Sequence, residues 1–423
     1  MAKHSTAAPR LEAPTVTVNG RAYALPVRPT VVICLDGFDP AYLEHGFATG
    51  SLPALRRFAR HGFAGFADAA MPSTTNTNNT SIVTGVAPAQ HGINGNFYLD
   101  AETGEEVMVT DARRLRCGTI LAALSAAGAR TAVVTAKDKL LAVLAHGMSG
   151  IAFSSERAEA ADLARDGIAD VEALVGRSRP NQYSADLSLF ALDAGIRILS
   201  AHRPALMYLS TSDYVQHLYA PGEPEADRFH AAVDRRIAAL VALGATVAVT
   251  ADHGMNDKSL PSGAPNVVYL EDELDAAFGE GAARVICPIA DPFVRHHAAL
   301  GSFVRVHLRK PGDVACMMAF ARTLPGIELV LDRPEVCERF QLPADREGDF
   351  AVFADRTTVV GARRRDHDLT QLAGRHLRSH GGLGERKVPF LLSRPLTAAY
   401  AARVREGPIC NYDIFDFALN GVQ

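Results

Sequence analysis

The sequence has little of several features that would assign it to a specialised class of protein. Its 423 residues include no tryptophan and six cysteines, which are scattered without a CxxC pair. That spacing excludes a disulfide framework and a thiolate metal site, so we expect small buried thiols in a reducing compartment. No segment approaches the roughly 18 consecutive apolar residues of a membrane-spanning helix. The net charge of −4 leaves no basic field to attract nucleic acid.

These absences favour a cytoplasmic protein that acts on a small molecule, without a nucleic-acid or membrane partner. A homodimer is left open. The length predicts two compact units. Residues 1–27 are rich in Ala, Pro and Thr without periodicity, and we expect them to form a loose N-terminal arm.

Four short apolar runs predict buried strands at residues 30–35, 131–135, 206–210 and 245–250, and a fifth is expected at 388–393. Helical patterns lie between them. One begins near Leu52, with Ser51 as its expected N-cap. Strands alternating with helices predict an α/β fold with a mostly parallel sheet flanked by helices.

The pattern changes after residue 262. Runs at 266–270, 301–308, 327–331 and 350–354 alternate in the manner of strands, with helical segments at 271–278 and 314–324. We expect residues 263–366 to form a smaller inserted α+β cap. The catalytic core would then comprise residues 28–262 and 367–423.

Ionisable side chains follow the carboxyl end of each of the first four predicted strands. Open α/β sheets bind their ligands at the carboxyl ends of their parallel strands. Asp213 and His217 are spaced i and i+4 after one strand, and Asp252-His253-Gly254 follows another. Taken singly, such groups are more often surface contacts or helix caps. Together they form a set without thiolates that suits zinc, manganese or iron, and two ions would suit displacement at phosphorus. The set is Asp36, Asp213, His217, Asp252, His253 and His380.

The segment 71–81 carries hydroxyl or amide side chains at almost every position. Such side chains compete with the helical backbone for hydrogen bonds, so we predict a polar turn that leads into a helix and presents a hydroxyl. A solvated surface loop would have the same composition. Beside the expected metal ligands, Thr75 becomes the candidate nucleophile.

These residues resemble the motifs of the alkaline phosphatase superfamily, nearest its nucleotide pyrophosphatase/phosphodiesterase branch. The resemblance rests on the six ligand candidates, on Thr75 before the segment 81–85, and on Asn96 in the segment 92–96. It covers nearly everything from residue 30 onwards. Within the branch, the chain most resembles enzymes that hydrolyse the carbon–phosphorus bond of phosphonoacetate to acetate and phosphate.

The resemblance implies an alkaline phosphatase-like fold and two zinc ions per chain. One ion would be held by Asp213, His217 and His380, and the other by Asp36, Asp252, His253 and the Thr75 oxygen. Thr75 would attack phosphorus to form a phospho-enzyme, which a zinc-bound water then hydrolyses. Asn96, with the Thr75 backbone N–H, would bind the phosphoryl oxygen.

The substrate is expected to contact Lys137, Lys139, Asn96 and His217. If residues 137–139 are extended, the two lysines point the same way and could meet one anion, which the resemblance identifies as the substrate carboxylate. A carboxylate held in this way would delocalise the carbanion left when the P–C bond breaks. The other interpretation of the two lysines is a solvated charge pair.

Two other functions stay open at this point. One is a phosphodiesterase or phosphomonoesterase on the same scaffold, although the residue after the nucleophile, usually aromatic in the diesterases, is Asn76 here. The other is a metal-binding protein without catalysis, for which Thr75 would have no purpose. The pair His296-His297 is interpreted as surface groups.

Overall fold

The computed structural model describes residues 14–100, 103–290, 298–309 and 313–423. Residues 1–13 of the predicted arm and the His296-His297 pair lie outside these ranges. No helix in the described ranges is long and apolar enough to cross a membrane. All six cysteines lie within them and are free thiols.

The described ranges contain strands β1 (Thr15–Val18), β2 (Arg21–Ala24), β3 (Thr30–Cys34), β4 (Phe63–Asp68), β5 (Phe97–Leu99), β6 (Glu106–Met108), β7 (Thr131–Thr135), β8 (Gly150–Ser154), β9 (Leu206–Ser210), β10 (Thr246–Thr250), β11 (Asn256–Asp257), β12 (Val267–Tyr269), β13 (Ala283–Ile286), β14 (Phe303–Leu308), β15 (Ile327–Asp332), β16 (Phe350–Ala354), β17 (Val359–Gly361), β18 (Arg378–Ser379) and β19 (Lys387–Leu392).

The α-helices are α1 (Pro40–Thr49), α2 (Pro53–His61), α3 (Thr75–Thr84), α4 (Pro88–His91), α5 (Ile120–Ala126), α6 (Asp138–Leu144), α7 (Leu163–Asp166), α8 (Val171–Val175), α9 (Ala185–His202), α10 (Tyr214–Leu218), α11 (Pro224–Ala242), α12 (Leu270–Phe278), α13 (Val314–Ala321), α14 (Arg333–Phe340), α15 (Ala398–Glu406) and α16 (Ile414–Asn420).

A seven-stranded mixed sheet forms the centre of the molecule, in the order β4-β19-β10-β3-β9-β7-β8. The five strands from β10 to β8 are parallel, and β19 runs antiparallel to both of its neighbours. Two sets of helices pack on this sheet, one containing α1, α2, α9 and α11 and the other α3, α5 and α16. The predicted α/β fold is therefore confirmed, including all five expected strands. Strands β4 and β8 were not predicted.

A second, antiparallel sheet of four strands lies between β10 and β19 in the sequence, in the order β13-β14-β16-β15. It has its own buried cluster, in which Leu274, Val306 and Phe350 pack together. An α+β segment lies where the sequence predicts one. Its limits at 263 and 366 remain a prediction.

The prediction of a loose arm is wrong for the described part of residues 1–27. Strands β1 and β2 form a hairpin that packs on α5 and α16. Tyr23 is fully buried, and Ala24 N–H donates to Asn420 Oδ1 at 2.8 Å. These partners lie far away in the sequence, so local composition gave no sign of them.

The expected N-cap of helix α2 is also wrong, because Ser51 does not cap it and Leu52 occupies the cap position without a side-chain bond. The carboxylate of Asp234, on α11, instead accepts from the Ala54 and Leu55 N–H groups at 2.9 Å each. A remote side chain therefore satisfies the N–H groups that a helix start leaves without partners.

We expect Asp234→Ala to lower the free energy of unfolding by about 1–2 kcal/mol, the usual effect of losing a cap. Asp234→Asn keeps one acceptor oxygen but turns an amide NH2 toward the other backbone N–H, so it should restore part of the loss at most. Urea unfolding followed by circular dichroism measures both variants. An unchanged free energy of unfolding in Asp234→Ala would show that the cap does not contribute.

Candidate active site

The predicted site residues converge because the central strands are in register at their carboxyl ends. Cys34 pairs with both Ser210 and Thr250, and Thr135 pairs with Ser210. The residues that follow these four strand ends must therefore emerge side by side. Five residues that follow β3, β9 and β10, together with His380 from elsewhere in the chain, form two groups of three whose ligand atoms lie within 4.8 Å of one another in each group: Asp213, His217 and His380, and Asp36, Asp252 and His253.

The first triad joins α10 to the short strand β18. Asp213 precedes α10, so the i,i+4 spacing brings His217 Nε2 to 3.1 Å from Asp213 Oδ2. His380 follows β18, and its Nε2 lies 3.8 Å from the same oxygen. Ser73 N–H donates to Gly381 O at 3.3 Å, which ties this segment to the start of α3.

The second triad lies where β3 and β10 end. His253 Nε2 is 3.2 Å from Asp36 Oδ1 and 3.6 Å from Asp252 Oδ2, and all three side chains are fully buried. Gly37 has a φ of +68°, and a Cβ there would lie 3.2 Å from the Asp213 Cβ, so glycine meets both a conformational and a steric need. At position 254 glycine is required for steric reasons, because a Cβ there would lie 2.4 Å from Asp39 Oδ2.

The two triads adjoin each other. The rings of His253 and His380 stack with centroids 3.5 Å apart. Each of the three imidazoles donates its Nδ1–H to a backbone carbonyl, which turns Nε2 toward the carboxylates. The bonds are His217 to Arg378 O at 2.8 Å, His253 to Gly254 O at 2.9 Å and His380 to Ser73 O at 2.8 Å.

Burial and neighbouring charges shift the pKa values of several groups in the site. Burial and the nearby Asp36 carboxylate raise the pKa of Asp252 to about 7. Burial alone would lower the pKa of His253, but the Asp252 and Asp36 carboxylates outweigh it and raise that pKa to about 9. Burial and the neighbouring His253 and His217 rings hold the pKa of His380 well below its usual range. Perturbed values of this kind concentrate at functional sites.

The donor set fits divalent metal ions. Six buried nitrogen and oxygen donors form two triads whose imidazoles are already oriented. Both oxygens of Asp36 are buried, and no described group bonds to either with hydrogen-bond geometry. Their close contacts are ion pairs with Lys137 and His253. Two buried carboxylate oxygens whose close contacts are ion pairs are suited to bind a cation.

Thr75 is the first residue of α3, and its Oγ1 lies 3.3 Å from His253 Nε2. The predicted turn covers only residues 71–74, because the helix begins at Thr75. The polar segment is buried, and part of its hydrogen bonding is internal: Thr80 Oγ1 donates to Asn76 O at 2.6 Å, and Thr84 Oγ1 to Thr80 O at 2.7 Å. A surface loop is therefore excluded. A helix N-terminus next to the triads offers backbone N–H groups to an anion.

Asn96 lies beside this N-terminus. Its Oδ1 accepts from the Asn76 N–H at 3.1 Å, and its Nδ2 donates to Ile289 O at 3.3 Å. Asn76, the residue after Thr75, is buried and donates to Val109 O at 2.8 Å. It therefore serves the packing around Asn96 and presents no ring to a substrate.

Lys137 lies between the triads. Its Nζ is 2.6 Å from Asp36 Oδ2 and 2.8 Å from Asp213 Oδ1. Burial would lower its pKa, but Asp213 and Asp36 outweigh this and raise it well above the usual value. Lys139 is half-buried, and both lysines line a cavity of about 750 Å³ that also borders Asp213.

The extended conformation considered for residues 137–139 is wrong. Residues 137–139 are not extended, because α6 begins at Asp138 with Lys137 as its N-cap. The two side chains reach the same cavity from the end of β7 and from the first turn of α6.

Sequence reasoning missed Asn79, which connects the site to the sheet. Its Nδ2 donates to Asp252 Oδ2 at 3.2 Å, and its Oδ1 accepts from Tyr208 Oη and Ser210 Oγ at 2.8 and 3.0 Å. Its i+4 spacing from Thr75, on the same helix face, was the available signal.

The fold and this site define the class of protein. Residues 30–382 match the family model of type I phosphodiesterase/nucleotide pyrophosphatase, and the chain belongs to that family. It is similar to a solved structure of phosphonoacetate hydrolase from Sinorhizobium meliloti 1021 in complex with phosphonoformate. The identity is 46% and the TM-score 0.91, over 97% of this chain and 99% of the other.

A second structure of that hydrolase, in complex with phosphonoacetate, matches with 44% identity and a TM-score of 0.90 over the same shares. Murine ectonucleotide pyrophosphatase/phosphodiesterase 5 shares the fold, at 17% identity and a TM-score of 0.62 over 92% and 94% of the two chains. An uncharacterized pyrophosphatase/phosphodiesterase of Schizosaccharomyces pombe is 38% identical over 76 residues, which are 18% of this chain and 15% of the yeast protein. The predicted family is confirmed.

Proposed function

We propose that the protein hydrolyses the carbon–phosphorus bond of phosphonoacetate to acetate and phosphate. The observation that carries the proposal is that Thr75 Oγ1 lies beside two adjoining potential metal triads, while Lys137 and Lys139 line a cavity that Asp213 of one triad also borders. The full-length likeness to a phosphonoacetate hydrolase supports the same substrate.

Two zinc ions are the proposed cofactors, as the family resemblance implies, and the nitrogen and oxygen donors of the triads are ligands that zinc accepts. Asp213, His217 and His380 would hold one, and Asp36, Asp252, His253 and Thr75 Oγ1 the other. When bound, the ions would act as Lewis acids that lower the pKa of a hydroxyl and a water and offset charge on the phosphoryl oxygens.

In the proposed reaction, the Thr75 hydroxyl loses its proton and Oγ1 attacks phosphorus while the P–C bond breaks, and the electron pair of that bond passes to the methylene carbon. Uptake of one proton by that carbon, which balances the proton that Thr75 released, gives acetate. Water then cleaves the phosphothreonine to phosphate and restores the hydroxyl. Asn96 Nδ2 and the Thr75 N–H at the start of α3 would donate to the phosphoryl oxygen as its charge grows.

Lys137 and Lys139 would hold the substrate carboxylate, and His217 would border the substrate from its triad. As the P–C bond breaks, charge moves toward that carboxylate, so a cation there stabilises the transition state more than the ground state. Lys137 already pairs with two carboxylates of the triads. Loss of Lys137 would therefore disturb the triads as well as substrate binding, and Lys139, which lines the same cavity, is tested separately. A cytoplasmic location and a homodimer remain predictions.

We expect a substitution in one triad to remove the ion of that triad and to leave the other ion bound. His380→Ala should leave the purified protein with about one zinc equivalent where the unaltered protein holds two, because one triad loses a ligand. Metal analysis by mass spectrometry measures this. His376→Ala is the control, since His376 lies four residues away and pairs with Asp257 outside both triads. Full zinc retention in His380→Ala would contradict the assignment.

A phosphate-release assay tests the proposed function. The substrates are phosphonoacetate, phosphonopyruvate, 2-aminoethylphosphonate and 4-nitrophenyl phosphate, each with and without a chelator. We expect phosphonoacetate to be the fastest, with activity lost on chelation and restored by zinc. Faster hydrolysis of the nitrophenyl ester would favour the phosphomonoesterase alternative.

A further inference from the structure

The turn that carries Asn96, residues 92–96, is held by groups from the segment that contains the second sheet. Asn96 N–H donates at 2.8 Å to Pro288 O, two residues after the end of β13. Two residues earlier, Asn94 Nδ2 donates to Arg346 O at 2.9 Å and to Glu347 Oε1 at 2.5 Å. Two segments that adjoin the second sheet, one after β13 and one before β16, therefore contact the turn.

An ion pair lies behind these contacts. Arg305, on β14, donates through Nε to Glu347 Oε2 at 2.6 Å and through Nη2 to Glu347 Oε1 at 2.8 Å. The same Nη2 donates to Asn94 O at 2.6 Å. Both charged side chains have no solvent exposure. The ion pair therefore binds Asn94 at two points: Arg305 donates to its backbone carbonyl, and Glu347 accepts from its side-chain amide.

A buried ion pair adds little net stability, because removing both charges from water costs nearly as much as their attraction returns. Its geometry, however, is fixed by two parallel bonds between guanidinium and carboxylate. The 92–96 turn has no helix or strand to hold it. The Asn96 amide must nonetheless keep its direction, with Oδ1 on the Asn76 N–H.

We propose that Arg305 and Glu347 are positioning residues for the reaction, which act through Asn94 to aim Asn96 at the phosphoryl group. The inference rests on the proposed function of Asn96. It makes the second sheet part of the catalytic apparatus, since its buried ion pair sets the direction of a group that would stabilise the transition state.

A double-mutant cycle between Glu347→Gln and Asn96→Ala tests the inference with phosphonoacetate. Glu347→Gln alone should lower kcat about 10- to 100-fold, with KM changed less than about threefold, because a misplaced donor is felt in the transition state. In the Asn96→Ala background, the same change should lower kcat less than about twofold further, since nothing remains to be aimed. A merely structural pair would give equal fold losses in both backgrounds, and that result would overturn the proposal.

Glu271→Gln is the matched control. Glu271 is a fully buried carboxylate in the same part of the chain, paired with Arg284 and Arg363, and should show no such dependence on Asn96. If Glu347→Gln does not fold, Asn94→Ala takes its place in the cycle with the same expectation. If the unaltered protein does not cleave phosphonoacetate, the substrate proposal fails. The cycle then runs on the ester that it hydrolyses, which judges the positioning role separately.

Discussion

Thr75→Ala is expected to lower phosphonoacetate turnover by about 10⁴-fold or more, because no other hydroxyl can replace an attacking nucleophile. The six charged and imidazole ligands remain, so the variant should keep its bound metal. Thr75→Ser retains a hydroxyl at the first residue of α3 and should keep measurable activity. Phosphate release and metal analysis on the same preparations measure the two properties together.

Thr77→Ala is the control for damage to the helix. Thr77 is buried two residues further along α3, and its hydroxyl bonds to Thr74 Oγ1 at 2.9 Å. It should keep most of the activity. Near-normal turnover in Thr75→Ala would contradict the assignment of Thr75 as the nucleophile. Loss of turnover with retained metal would exclude a protein that only binds metal.

Lys139→Ala is expected to lower kcat/KM for phosphonoacetate by about 10- to 100-fold, the usual effect of losing one hydrogen bond between charged groups. Hydrolysis of 4-nitrophenyl phosphate, which has no carboxylate, should change by less than about threefold. Lys137→Ala should affect both substrates, because Lys137 also pairs with Asp36 and Asp213.

Arg157→Ala is the control for a general loss of positive charge, since Arg157 lines the same cavity at an exposed position. It should leave the ratio of the two activities unchanged. Lys139→Arg should restore part of the phosphonoacetate activity. Equal losses on both substrates in Lys139→Ala would contradict the assignment of the carboxylate site.

The sequence predicted the features that depend on local pattern and on strand direction. Strands β7 and β9 were predicted at their observed limits, since a run of buried apolar residues between polar ends defines its own length. The convergence of Asp36, Asp213 and Asp252 followed from one rule, that parallel strands end at the same edge.

What the sequence did not predict depends on partners far along the chain. The Asp234 carboxylate caps α2 from about 180 residues away, which no local cap pattern around Ser51 could reveal. The polar α3 is buried because Asn79 meets Asp252 and Tyr208, and these contacts exist only once the sheet has formed. The β1–β2 hairpin likewise depends on Asn420 near the other terminus.

Anomalous diffraction at the zinc absorption edge, from crystals grown with zinc, is the most direct test of the central claim that the two triads hold two ions beside Thr75. We predict two peaks per chain, one within coordination distance of Asp213, His217 and His380 and the other of Asp36, Asp252 and His253. A single peak, or peaks away from these six side chains, would contradict the account.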